Sequence, residues 1–397
     1  MRVLIINNYY YPNLIGGAEH SVKLLAEGLS DTGVDVTIYS RDGETRFDQK
    51  IINGVKVFRS QSPHPINSIV SYYYRLKDLA LKRHLYEDLD FLLSEVHPDI
   101  VHINNFGFKT PSVWKYFSEQ EIAVVHTLRD TALYAPIIIK NNLTSRILRS
   151  ALFIIIYRTI MRYYSSHYVT GITAPSEYMT DKFLTNGYFK NSKVSVIPNA
   201  IILDFEETKR IISEKLSRTD KRINFLYVGG LTKHKGILNL LCAMESLCDA
   251  NITLTICGSG PLELIVVDKC SSDKRIRYLG QLTDAELKEE YIVADVLIIP
   301  SIWEEAFGRV IIEGHQYGLP VLGSNRGAIP SLLKDTGGGI IFQFDSVVDL
   351  TESMSKFMNR EFIKSFLPEI QQNIMRYHND KITMDFYRFY LELIHDT

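Results

Sequence analysis

Two carboxylates flank a tight turn in EEAFGRVIIEG (304–314): Glu305 and Glu313, with Phe307 and Gly308 between them. A glycine there lets a ligand approach the main chain, and the amides of Gly308, Arg309 and Val310, opening a helix, can face an anion. A carboxylate is a poor neighbour for a phosphate but a good acceptor for sugar hydroxyls. The arrangement suits a nucleotide sugar, with the diphosphate on the amides, one glutamate on the ribose and the other on the transferred sugar. Acids offsetting a helix dipole would explain Glu304. They explain Glu313, several residues into an apolar helix, poorly.

Three further glycine loops carry weaker signals. VGGLTKHKG (228–236), with Gly229 and Gly230, opens a helix at whose start Lys235 can pair with a phosphate; a solvated lysine in a turn is the plainer alternative. CGSGPLE (257–263), with Gly258 and Gly260, lacks the third glycine of the dinucleotide fingerprint, so a tight turn explains it as well as a ligand does. LIGGAEH (14–20) places Gly16 and Gly17 before the first helix, small enough to lie against a sugar or diphosphate, or simply to turn.

These loops need a frame. Val3 to Ile6 reads as a strand, and Val22, Leu25, Ala26 and Leu29 follow at helical spacing, with Gly33 as the stop and DVTIYS (35–40) as the next strand. DIVHI (99–103), IAVVHT (122–127) and YVTGITAPS (168–176) continue the pattern. It restarts after residue 198 with INFLYVG, ITLTICG, RIRYLG, ADVLIIP and PVLGS. Short apolar runs alternating with helical patterns predict an α/β chain with parallel sheets covered on both faces. Ligands of such sheets bind at the carboxyl ends of the strands, where all four loops fall. At the C-terminus, Phe386, Phe389, Tyr390 and Leu393 form an apolar stripe, so this helix is docked on its own domain or on the first one.

The 397 residues suffice for two domains, and 46% hydrophobic with 23% charged residues is the balance of a globular protein. A net charge of -2 gives no overall bias toward nucleic acid. No run is long enough for a signal peptide or membrane span. The four cysteines lack metal spacing and read as buried free thiols of a reducing, cytoplasmic compartment.

Taken together, GGAE (16–19), APSEYM (174–179), VIPNAI (196–201), GGLTKHKG (229–236), GSGPL (258–262), PSIWEEAFGRVIIEG (300–314) and GLPVLGSNRGAIP (318–330) resemble the retaining glycosyltransferases of family 4, the "group 1" glycosyl transferases. The E-x7-E pair around Phe-Gly is the most specific element. The resemblance implies a GT-B fold, two Rossmann-like doubly wound domains facing a cleft. The acceptor domain would be 1–197 with a returning helix at about 380–397, and the donor domain 198–379. It implies that Glu305 contacts the transferred sugar, Glu313 the ribose and Lys235 the diphosphate, with His126 and Asp130 of HTLRD at the reacting centre. It also implies a hexosyltransferase of cell-surface polysaccharide synthesis, with a nucleoside diphosphate sugar as co-substrate, a glycan or lipid-linked acceptor, and no cofactor or metal. Gly230 stands where the family has an arginine, and Arg309 from the facing loop is the candidate substitute. Arg129 stands where histidine is common, and Ser331 where glutamate is frequent. The alternatives are an epimerase acting on nucleotide sugars and a non-catalytic subunit that binds them.

Three features fall outside this pattern. Asp88 and Asp90 of DLD have a helical phase with Leu85, Leu89 and Leu92 and read as a polar helix face, not as metal ligands. His97, His102 and His126 lack metal spacing; His102 and His126 end strands and could serve a site or the core. Segment 137–168 carries Lys140, Arg146, Arg149, Arg158 and Arg162 without an acid, among Ile147, Leu148, Leu152, Phe153, Ile155 and Ile156. It suits either a helix lying on the anionic inner face of the cytoplasmic membrane or a core helix with a basic exposed side.

Overall fold

The computed structural model describes residues 1–13, 16–43, 48–61, 83–106, 110–134, 151–249 and 251–395. Lys140, Arg146, Arg149, Ile147 and Leu148 lie outside them. The chain divides into two units, Met1–Ala200 with Asn379–Thr397, and Ile201–His378. The division expected at 197/198 compares with one observed at 200/201.

The first unit holds an eight-stranded sheet. Its strands are β1 (Arg2–Ile6), β2 (Asp35–Gly43), β3 (Asp48–Ile52), β4 (Val55–Gln61), β5 (Ile100–Ile103), β6 (Ala123–Thr127), β7 (Gly171–Ala174) and β8 (Lys193–Val196), in the order β3-β4-β2-β1-β5-β6-β7-β8. The pairings are parallel except β3 with β4. That antiparallel edge departs from the all-parallel expectation. Asn53 and Gly54 both take positive φ between β3 and β4, which closes a short hairpin that needs no crossover helix.

The C-terminal helix Asn379–His395 packs in this unit, beside the helix Gly17–Asp31. Phe386, Phe389, Tyr390 and Leu393 are all buried, each contributing about 2 kcal/mol of apolar burial. His102 joins the helix to the sheet: its Nδ1 lies 2.6 Å from the Tyr390 hydroxyl and its Nε2 2.6 Å from Thr127 Oγ1. A histidine with both nitrogens partnered in the core is structural, and this settles the choice left open for His102.

The second unit holds β9 (Ile223–Val228), β10 (Ile252–Cys257), β11 (Ile276–Gly280), β12 (Val296–Ile299), β13 (Val321–Ser324) and β14 (Gly339–Phe342), all parallel, in the order β11-β10-β9-β12-β13-β14. From β9 the chain winds outward to β11, then returns to β12 on the other side and winds outward to β14. The crevice between β9 and β12 is therefore the switch point, where this architecture binds ligands. In the first unit the switch lies between β1 and β5.

Three expectations need correction. Asp88 is buried and accepts from the Tyr39 hydroxyl (2.8 Å) and Ser60 Oγ (3.2 Å), so it ties its helix to β2 and β4 instead of facing solvent. Only Cys257 of the four cysteines is buried; Cys242 and Cys248 are exposed and Cys270 is partly so. In the helix Ala151–Tyr168, the two described arginines are used internally. Arg158 donates to the Tyr134 carbonyl and lies 3.8 Å over its ring, and Arg162 lies over Tyr188. The outward face of that helix is apolar, with Leu152 69% and Ile155 61% exposed.

Candidate functional site

The loop after β9 and the loop after β12 meet at the second unit's switch point. After β9 comes a short 3-10 turn, Lys233–Lys235, closed by Gly236. Lys235 Nζ lies 2.6 Å from Glu305 Oε1, which also accepts from Ser301 Oγ at 2.6 Å. The loop bearing Glu305 is fixed at many points. Ser324 Oγ donates to the Ser301 carbonyl, Arg326 Nε to the Ile302 carbonyl, and the Ala328 amide to the Glu305 carbonyl. The amides of Ile302 and Trp303 both donate to the His234 carbonyl. Glu304, expected at a helix end, instead faces Arg326 at 3.5 Å.

Gly308 has φ 89 and ψ 53, a left-handed conformation that a side chain disfavours, and from it the helix Arg309–Gln316 starts. Its free amides form an electropositive end beside the Lys235–Glu305 pair. Phe307 is buried in the apolar cluster beneath, which leaves only its main chain for a ligand. One turn into the helix, Glu313 Oε1 is 2.7 Å from Arg309 Nε, off the hydrogen-bonding direction, and Oε2 accepts from the buried Tyr291 hydroxyl at 3.3 Å. Arg309 Nη1 is buried without a hydrogen-bond partner. The guanidinium is thus held by its charge pair with Glu313 and keeps donor capacity that the fold does not use.

The two glycines of GSGPL have a packing role. A Cβ on Gly258 would sit 2.0 Å from the Gly229 carbonyl oxygen, and the Leu231 amide donates to the Ser259 carbonyl. Gly258 and Gly260 thus hold the loop Gly229–Gly230–Leu231 in place. At Gly230 a Cβ would meet nothing nearer than the Ser259 carbonyl oxygen at 4.0 Å, so room remains where the family places an arginine. Ser301, which steadies Glu305, stands within the motif 300–314 but has no role in that pattern, and Tyr291, which steadies Glu313, belongs to no motif.

The first unit presents a polar edge at its own switch point. Gly16 donates its amide to Glu19 Oε2 at 2.9 Å and Gly17 begins the helix, so Glu19 caps the helix start from its first turn and is structural. Arg129 Nε donates to Asn104 Oδ1 (3.0 Å) and Nη1 to Asn199 Oδ1, which also accepts from Ser21 Oγ (3.2 Å). Arg129, in histidine's usual place, thus braces the ends of β5 and β6 and the chain after β8. His126 is buried between Trp114, edge-on at 5.1 Å, and Phe189, stacked at 6.1 Å, and its Nδ1 has no partner. Burial first, and then the Arg129 charge, push its pKa down to about 3. Asp130 is partly exposed and accepts from the Ala132 amide; desolvation raises its pKa.

Burial also depresses His102 and takes His315 down to about 4. A group depressed when folded contributes stability above its unfolded pKa, near 6.5, and loses it as pH falls toward the folded value. Each of these imidazoles should therefore cost up to about 1.4 kcal/mol per pH unit below 6.5. Urea midpoints between pH 7 and 5 should fall, and His126→Phe should flatten the slope; equal slopes would show that His126 charges freely in the fold.

Among the described residues no three His, Cys, Asp or Glu side chains cluster as a metal would need, and no helix is long and apolar enough to cross a membrane. Two family models match in succession: Glycosyltransferase Family 4 over residues 15–205 and Glycosyl transferases group 1 over residues 208–377. An uncharacterized 42.6 kDa protein in the cps region of Klebsiella pneumoniae is 27% identical over 91% of this chain and 97% of its own. The O-antigen chain mannosyltransferase C of Escherichia coli is 22% identical over 91% of this chain and 90% of its own. An Anabaena protein solved in complex with UDP superposes with a TM-score of 0.71 at 14% identity, covering 99% of this chain and all of that one. With the motif loops gathered at the second unit's switch point and both models matching in order, the chain belongs to the group 1 glycosyl transferases and has their two-domain GT-B fold.

Proposed function

We propose that the protein moves a hexosyl group from a nucleoside diphosphate sugar to a hydroxyl of a glycan or lipid-linked acceptor, with retention of configuration, in cell-surface polysaccharide synthesis. The observation that carries this is the Lys235–Glu305 pair at the β9/β12 switch point, beside the free amides of the helix Arg309–Gln316. Lys235 and those amides would take the diphosphate, with Arg309, once its buried guanidinium swings outward, supplying the cation that Gly230 lacks. Glu313 would take the ribose and Glu305 the transferred sugar. The bond from the anomeric carbon to the diphosphate oxygen breaks as the acceptor oxygen bonds on the same face. The departing phosphate accepts the acceptor proton, and the fixed donors stabilise its growing charge. The UDP held by the Anabaena neighbour supports a nucleotide donor. Purified protein incubated with a panel of nucleotide sugars should release nucleoside diphosphate in proportion to glycosylated acceptor. Turnover to an isomeric nucleotide sugar without acceptor would mean epimerisation, and binding without turnover a non-catalytic subunit.

His126 and Asp130 belong, in this reading, to the acceptor side. Replacing either with alanine should cut transfer at least tenfold and leave donor affinity within twofold. Normal transfer by both variants would place HTLRD outside the active site. His126, held neutral by burial, would act through position and hydrogen bonding across pH 5–8, not as a cationic acid.

We also place the protein against the cytoplasmic face of the membrane. The apolar outward face of Ala151–Tyr168, with Leu152, Ile155 and Ile156, supports this location. Arg158 and Arg162 are engaged internally, so lipid charge would be read by Lys140, Arg146 and Arg149. In liposome flotation, Ile155→Ser with Ile156→Ser should abolish binding, while Arg158→Gln and Arg162→Gln should lower thermal stability and leave flotation intact. Unchanged flotation of the double serine variant would rule this helix out as the contact.

A further inference from the structure

The SIWEE loop carries a side chain that the site described above does not use. Trp303 is 54% exposed and Ile302 beside it 37%. The only other tryptophan, Trp114, is fully buried. An indole can be left exposed by a loose loop, but this loop is not loose. The amides of Ile302 and Trp303 are both held by the His234 carbonyl, and the Ile302 carbonyl is held by Arg326. The indole lies 5.7 Å from the His234 ring, tilted by 58°. A large apolar ring fixed in water gains little from its own fold, and such rings are favoured where a ligand will cover them.

Its position says which ligand. His234 and Trp303 are the neighbours, one residue and two residues away, of Lys235 and Glu305, the pair at the reacting centre. Exposure rises along this cluster, from 17% for the Glu305 side chain to 40% for Lys235 and 54% for Trp303. Trp303 is therefore the member of this cluster most open to solvent, and so the one most open to a second substrate once the donor covers the pair. The pair can bind hydroxyls and phosphate and offers nothing to the apolar C–H face of a pyranose. The indole offers that surface.

We propose that Trp303 is the stacking platform for a sugar ring of the acceptor. The proposal deepens the transferase reading and rests on it. It makes Trp303 a determinant of which acceptors are used, separate from the groups that hold the donor.

Because Trp114 is buried, Trp303 reports on its own occupancy through emission. Titrate the full chain with UDP, then titrate methyl glucopyranoside, methyl galactopyranoside and methyl mannopyranoside into the UDP-saturated protein. At least one glycoside should shift the emission at millimolar concentration, and UDP alone should not. By saturation-transfer NMR or calorimetry, Trp303→Ala should weaken that glycoside at least fivefold, Trp303→Phe should restore part of the loss, and both should bind UDP within twofold of wild type. A full emission change with UDP alone would put a nucleobase on the indole and overturn the proposal. So would no emission change with any glycoside, or unchanged glycoside affinity in Trp303→Ala. Wild-type UDP affinity in Lys235→Ala would count instead against the transferase reading.

Discussion

Glu305→Gln should lower kcat on the order of a hundredfold and change KM for the donor little. The reason lies in the ion pair. In the structure Glu305 neutralises Lys235 at 2.6 Å and is steadied by Ser301. Glutamine keeps the shape but removes the charge, so Lys235 becomes more available to the diphosphate, and binding of UDP should hold or tighten. What is lost is a carboxylate beside a sugar carbon that becomes cationic in the transition state, an interaction stronger there than in the ground state. Steady-state kinetics with UDP titrations of the same variant separate the two effects. A KM rise with kcat intact would make Glu305 a simple binding group.

Lys235→Ala and Glu313→Gln should each weaken nucleotide-sugar binding tenfold or more, about 1.4 kcal/mol or above, as for a lost charge-assisted hydrogen bond. The lysine variant should be the worse. It removes a cation and also leaves Glu305 unneutralised where the diphosphate must sit. Glu313→Gln should be milder, since the Tyr291 hydroxyl can still hold the amide oxygen at that position although the charge pair with Arg309 is lost. Calorimetry with UDP and with the donor found by the panel assay would measure both. Wild-type affinity in both variants would remove the ligand from this crevice.

Much of this arrangement is legible in the residues. The central strands of both sheets announce themselves as unbroken apolar runs, because both of their faces are covered. The strands that go unseen are mostly at or next to edges. β3 and β8 are largely exposed and β14 is only partly buried, so their sequences carry no such run. The E-x7-E spacing gives the two glutamates and their loop, but not what holds them. Tyr291 reaches its carboxylate through the fold, and Ser301, four residues before Glu305, only through the turn of their shared loop. Asp88 looks like a surface residue because helical phase cannot show that Tyr39 and Ser60 wait on the neighbouring strands. The GSGPL glycines look like a ligand loop because sequence cannot show that the Gly229 carbonyl occupies the space a side chain would need.

The central claim is that the crevice between β9 and β12 holds a nucleoside diphosphate on Lys235 and the amides of residues 308–310. A crystal structure of the protein with UDP tests it most directly. The account predicts phosphate oxygens within hydrogen-bond distance of Lys235 Nζ and at least two of those amides, the Lys235–Glu305 pair opened or shared, and the ribose hydroxyls on Glu313. UDP bound elsewhere, or phosphates away from Lys235 with its pair to Glu305 intact, would contradict it.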